Sequence, residues 1–183
     1  SAQFVNGGGV ENEGLEFSIG YNQGVNDNFK FNVNYNLTAL RNEVLYVNSE
    51  SGFISGGVFG IGQESPSRME PGKPIGYFYG LETNGIFQTQ AEVDAAATQA
   101  NAAPGDIRFV DQNGDGVIDS DDRTDIGDPI PDLTMGANIG FTFKNWDFNA
   151  YAFASLGNDI VRNFERNQPN TNRTNAFLGR WTG

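Results

Sequence analysis

Two pairs of segments in this chain alternate apolar and polar residues with a period of two, and a short polar turn joins the members of each pair. Leu15, Phe17, Ile19 and Tyr21 fall on one face, with Glu16, Ser18, Gly20 and Asn22 on the other. After the turn Gln23–Asn28 the pattern resumes as Phe29, Phe31, Val33, Tyr35 and Leu37 against Lys30, Asn32, Asn34 and Asn36. Successive side chains of a strand point to opposite faces, so such alternation on both sides of a Gly/Asn turn specifies a β-hairpin. A second pair places Leu133, Met135, Ala137, Ile139, Phe141 and Phe143 against Thr134, Gly136, Asn138, Gly140 and Thr142. The turn Lys144-Asn145 then leads to Trp146, Phe148, Ala150 and Ala152, where Tyr151 and Phe153 break the alternation. The fold class is mainly β, built from antiparallel hairpins.

Two environments produce long strands with one apolar and one asparagine-rich face. A soluble sandwich buries the apolar face and wets the other. A transmembrane β-barrel turns the apolar face to lipid and the polar face to a wet lumen. Periodicity does not separate them, but connection lengths do, because outer-membrane barrels combine short periplasmic turns with long external loops. Here both hairpin turns are short, while Thr38 to Asp132 forms a connection of about 95 residues. The barrel is favoured, and the chain divides into a hairpin at 1–37, a long extracellular connection at 38–132, a hairpin at 133–163 and the start of a further loop at 164–183. No run of eighteen apolar residues occurs, so no membrane helix is expected. The chain opens without Met or a charged-then-apolar leader and closes in the polar Arg180-Trp181-Thr182-Gly183, which predicts a piece of a longer protein.

The long connection has order of its own. Asn42–Val47 reads as an extension of the preceding strand, and the Gly-rich stretch from Gly52 to Gly62 as loop or ribbon. Thr89 followed by Glu92 forms a capping-box pattern that opens a short Ala-rich helix over Gln90–Gln99, closed by Pro104-Gly105. The aromatics Tyr77, Phe78 and Tyr79 could stack on sugar rings, but the cluster reads better as loop core.

Within that connection lies Asp111-x-Asn113-x-Asp115-Gly116-x-Ile118-Asp119-x-x-Asp122. With Asp111 as position 1, oxygen donors fall at 1, 3, 5, 9 and 12, the Val117 carbonyl stands at 7, and glycine occupies 6. This is the spacing of an EF-hand-like calcium loop, in which alternate residues of a tight turn aim hard oxygens at one centre. The expected ligands are Asp111, Asn113, Asp115 and Asp122 by side chain, Val117 by carbonyl, and Asp119 directly or through water, with Asp121 in reserve. Asp122 replaces the usual Glu at position 12, which points to modest Ca2+ affinity. Net charge is −12, from 23 acids and 11 bases, and nine of the acids (Asp106, Asp111, Asp115, Asp119, Asp121, Asp122, Asp125, Asp128, Asp132) lie between residues 106 and 132. With no basic patch to neutralise phosphates, nucleic acid is not a partner. The chain has neither Cys nor His, which removes thiol nucleophiles, thiolate metal sites, and the usual general base and zinc ligand. A carboxylate pair such as Asp119/Asp122 could serve a glycosidase, but its spacing suits an ion better, so no enzyme is expected.

Several motifs together resemble the C-terminal region of SusC/RagA-type TonB-linked outer-membrane transporters. They are Gly72-Lys73-Pro74-Ile75-Gly76-Tyr77-Phe78-Tyr79-Gly80, Thr83–Gln88, Pro104–Asp111, Asn113–Asp119 and Ile126–Asp132, with Asn12–Phe17 and Arg41–Val44 upstream. The resemblance implies a plugged outer-membrane barrel of the 22-stranded type. It also implies import of oligosaccharides, or in some members peptides, driven through TonB, and a SusD-like surface lipoprotein as partner. The bacterial outer membrane, with its lipid against the barrel, would be the location. The alternative is a soluble, calcium-stabilised carbohydrate-binding or adhesion module.

Overall fold

A computed structural model describes residues 6–58, 65–162 and 181. The elements run β1 Gly8–Asn26, β2 Phe29–Val47, β3 Ile54–Ser55, β4 Ser67–Met69, β5 Tyr77–Leu81, β6 Thr83–Ile86, α1 Gln90–Ala95 and β7 Ile107–Phe109. A 3-10 turn at Ser120–Asp122, β8 Arg123–Gly127, β9 Leu133–Phe143 and β10 Trp146–Leu156 follow. The expected loop at 164–183 lies outside the described residues, except for Trp181. The chain forms two compact units, the first drawn from Ser1–Ile54, Met69–Gly76 and Asp128–Ile160, the second from Ser55–Arg68, Tyr77–Gly127 and Val161–Gly183.

The first unit is a four-stranded antiparallel sheet in the order β1-β2-β9-β10. Both hairpins turn through two residues, Asp27-Asn28 and Lys144-Asn145, so β1 runs through Gln23–Asn26, which the sequence suggested as turn. A register shift between Gly24 and Asn26 lets the chain absorb an extra residue there. The register puts every expected apolar residue on one face. It also aligns two cross-sheet rows, Phe29–Phe143–Trp146 at the turn end and Leu15–Ala39–Leu133–Leu156 ten residues above. At about 3.3 Å per residue and a tilt near 40°, those rows stand about 25 Å apart, the height of an outer-membrane apolar band.

Among the described residues nothing covers that face: Leu15 is 79% exposed, Trp146 76%, Ile19 57% and Phe148 51%. Buried hydrophobic residues among those described are only Val44, Tyr77 and Phe87. A closed sandwich would hide such a face, whereas a wall that meets lipid leaves it bare. Aromatics gather toward its turn end, with ring centroids 5.0 Å apart for Phe141–Phe148, 5.7 Å for Tyr21–Phe31 and 6.4 Å for Phe29–Phe143. This is where an aromatic girdle sits at a membrane interface. Above the upper row the strands become polar. Glu13 pairs across to Arg41 and Glu11 to Glu43, and Arg41 bonds Glu43 at 2.7 Å.

The Gly72–Gly76 motif docks on this extension. Pro71 and Gly72 occupy the centre of a turn closed by Lys73 N–H donating to Glu70 O at 3.2 Å, and Gly72 takes φ 82°, as a type II turn requires. The turn then pairs with the buried Val44: Gly72 N–H donates to Val44 O at 2.8 Å and Val44 N–H to Lys73 O at 2.9 Å. Ile75 N–H reaches Asn42 Oδ1 at 2.7 Å, and Asn42 in turn donates to Asn12 at 2.7 Å.

The second unit holds the sheet β3-β4-β5-β8 and the pair β6-β7. Tyr77 and Phe87 are its buried anchors, at 2% and 1% exposure. Tyr77 stacks edge-on to Tyr79, and the Arg68 guanidinium lies 3.5 Å over the Tyr79 ring, so this cluster is packed core, as its composition suggested. Thr89 caps α1, accepting from Glu92 N–H at 3.3 Å, while Glu92 Oε2 accepts from Gln88 N–H. The helix ends at Ala95 instead of continuing to Gln99. Thr98 is taken into a parallel bridge with Val117, and that pairing outweighs the alanine propensity.

Candidate metal-binding loop

The loop from Asp111 to Asp122 is shaped by its own carboxylates. Asp111 accepts from Gly114 N–H at 2.7 Å through Oδ1 and from Gly116 N–H at 2.9 Å through Oδ2. Asn113 Oδ1 accepts from Asp115 N–H, and Asp115 Oδ1 from Val117 N–H, each at 2.8 Å. These are Asx turns in series, in which short side chains replace the ladder bonds a tight loop lacks. Gly114 and Gly116 sit at φ 75° and 85°, a region that disfavours side chains bearing Cβ. The Gly116 expected at position 6 therefore meets a real conformational need.

Asp119 caps the closing 3-10 turn, its Oδ1 accepting from Asp121 N–H at 2.8 Å. Asp122 completes the box. Its Oδ2 accepts from Asp119 N–H at 2.9 Å, and its Oδ1 from Gln112 N–H at 2.9 Å and Asn113 N–H at 3.5 Å. The Asp122 side chain is inaccessible to solvent. Its cover is the loop wrapped around it and not depth in a protein interior, so desolvation only partly opposes the amides. The Asp119 amide, then those of Gln112 and Asn113 and the adjacent Asp111 side chain, hold its carboxyl below the usual Asp range. Asp111 and Asp122, positions 1 and 12, are thus neighbours in space.

The surroundings fix the loop's outer edge. Thr98 N–H donates to Gly116 O at 2.8 Å, and Thr98 O accepts from Ile118 N–H at 2.9 Å. Val117, between them, sends its amide to Asp115. Gln112 reaches Glu82 at 2.7 Å, and Val110 N–H donates to Glu82 O at 3.0 Å. The sequence did not reveal Thr98 as a docking residue, because a single bridge leaves no periodic trace.

All six expected ligands therefore lie on one turn, with Asp121 outside the ring of amide bonds as a donor to Asp119. As the side chains stand, no group of three or more acidic, His or Cys residues among those described is gathered closely enough to hold a metal ion. The donor chemistry fits a hard cation nonetheless. Apart from Asp122 Oδ1, which accepts from two amides, the carboxylate oxygens keep a lone pair beyond the bond each accepts, and the two ends of the loop already meet.

No protein-family profile matches the chain. Individual proteins do. TonB-dependent receptor P3 of Formosa agariphila is 34% identical over 163 residues, covering 88% of this chain and 16% of that receptor. TonB-dependent receptor P26 of the same organism is 30% identical over 186 residues, covering 100% and 19%. TonB-dependent receptor SusC of Bacteroides thetaiotaomicron is 30% identical over 170 residues, covering 93% and 16%. The chain thus spans less than a fifth of the length of these relatives. Two solved structures of the RagAB peptide importer share the fold, with TM-scores of 0.60 and 0.64 over 82% and 85% of this chain at 20% and 19% identity. Sequence, strand pattern and bare apolar wall agree: the chain is a segment of a SusC/RagA-type TonB-dependent receptor, a protein of the bacterial outer membrane.

Proposed function

We propose that the parent protein imports nutrients across the outer membrane, with oligosaccharides as the favoured substrate class and peptides as the second. Energy would come through TonB, and a SusD-like surface lipoprotein would close the external side. The single observation that carries this reading is the uncovered apolar band, about 25 Å high across four strands in register. Its opposite face is lined by Asn32, Asn34, Asn36, Asn138 and Asn149, suited to a wet lumen. A soluble binding module has no use for so large a bare face.

In this reading the Asp111–Asp122 loop takes a calcium ion on the outer side, where the ion pins the connection in one shape. The meeting of Asp111 and Asp122 supports it, since positions 1 and 12 of such a loop both ligate the ion. The importer reading is tested by gentle detergent extraction of the full-length parent from native envelopes, with mass spectrometry of what co-purifies. Recovery from the outer membrane with a surface lipoprotein is the expected result. Recovery as a soluble secreted protein alone overturns the reading.

A further inference from the structure

The residues that break the alternation of β10 have a place in the fold that the barrel wall does not explain. Tyr151 and Phe153 project from the polar face, opposite Asn138 and Gly136, and are 67% and 63% exposed. On the lipid side of the same stretch stand only Ala150, Ala152 and Ala154. The large groups are therefore inverted, from the face where the hydrophobic effect would put them to the face that water wets. Their neighbours are amides and glycine. A Cβ on Gly136 would meet the Asn36 amide at 3.0 Å and the Tyr151 hydroxyl at 3.2 Å, so the glycine lets both lie low against the sheet. Asn138 Oδ1, on the cross-strand partner of Tyr151, is buried and has no hydrogen-bond partner among the described residues. A buried acceptor left unmade is a cost that an incoming hydroxyl donor can remove.

We propose that Tyr151 and Phe153 form a stacking platform for sugar rings of a neutral oligosaccharide, with the Asn36, Asn138 and Asn149 amides addressing its hydroxyls. Side chains two apart on a strand stand about 7 Å from one another, so the two rings can engage neighbouring sugar units. Among the described residues the pair's nearest neighbours on this face are Asn138, Gly136, Asn36 and Asn149, all uncharged, and Glu16 lies three strands away in the next row. A peptide would need partners for its termini and charged side chains, whereas an uncharged glycan presents apolar ring faces and hydroxyls that aromatic faces and amides match. The proposal rests on the importer reading and assigns the substrate class to named residues within it.

The test uses the purified full-length parent and calorimetric binding of neutral hexasaccharides (maltohexaose, laminarihexaose, xylohexaose), with a tetrapeptide mixture alongside. Wild type is expected to bind at least one glycan. Tyr151→Ala and Phe153→Ala should each weaken that binding about threefold to tenfold, while Tyr151→Phe and Phe153→Trp retain it. Leucine variants at both positions keep apolar bulk without a flat face and should lose affinity as alanine does while folding normally. Leucine variants that bind as wild type overturn the platform, even if the alanine variants misfold because the rings pack against another part of the parent. Wild type that binds peptides and no glycan overturns it as well, while leaving import by an outer-membrane receptor standing.

Discussion

Placing an arginine at Ile139 tests whether the apolar face meets lipid. Ile139 is 49% exposed and lies four residues from Phe143 and six from Leu133 along β9. With about 3.3 Å per residue and a 40° tilt, that puts it about 10 Å above the lower row and about 15 Å below the upper one, within about 3 Å of the midplane. A lipid-facing arginine at this depth costs about 2–4 kcal/mol, against about 0–1 kcal/mol near an interface. Ile139→Arg should therefore destabilise the parent by about 3 kcal/mol, roughly a hundredfold in the folding equilibrium. Leu156→Arg on the upper row and Asn149→Arg on the polar face should each cost under about 1 kcal/mol. The assay is equilibrium urea unfolding of the parent in phosphatidylcholine vesicles, followed by tryptophan fluorescence. A sandwich core would punish Ile139→Arg and Leu156→Arg alike, since burial there does not depend on depth. Equal costs at those two sites, or none at either, refute the reasoning.

Other parts of the structure make their own demands. Phe87, at 1% exposure and tied through its backbone to Gly105 and Asp106, should cost about 3–5 kcal/mol as Phe87→Ala, read as a lowered urea midpoint of the second unit. Asp122 has a folded pKa below its unfolded value, so the stability it gives is complete above about pH 4 and is lost as pH falls through the lowered folded value. Amide exchange protection at Gln112 and Asp119, corrected for intrinsic rates, should fall in that acid window and lose the step in Asp122→Asn; protection unchanged to pH 2 would contradict this. Calcium titration of the parent should give a dissociation constant of about 10⁻⁴–10⁻³ M, weakened in Asp111→Ala and Asp115→Ala. Unchanged calcium affinity and thermal stability in Asp115→Ala would remove the site.

The hairpins were legible because their alternation is the register itself: each apolar residue from Phe29 to Leu37 meets an apolar partner on β9. The reach of β2 was legible in Asn42–Val47, read as its extension, but that of β1 was harder to read, since Glu13 opposite Arg41 and Glu11 opposite Glu43 look like loop charges until they are paired. The helix was placed correctly at Thr89 but ran too long in prediction, because caps are local and the bridge from Thr98 to Val117 is not. The acidic loop was legible in its glycines and donors, while the burial of Asp122 under three amides depends on a fold of the loop that spacing alone does not convey. Tyr151 and Phe153 were visible only as a blemish in a pattern. Their meaning came from seeing which face they occupy.

The most direct test of the central claim exploits the absence of cysteine from this chain. Single cysteines at Phe17, Ile19, Val33, Ile139 and Phe148, and at Ser18, Asn34, Asn36 and Asn149, would carry spin labels in the parent reconstituted in lipid. Accessibility to oxygen, which partitions into the bilayer, and to a water-soluble nickel chelate should then alternate residue by residue. The first set is expected to favour oxygen and the second nickel. Labels on both faces reporting the same solvent would contradict a wall set between lipid and lumen.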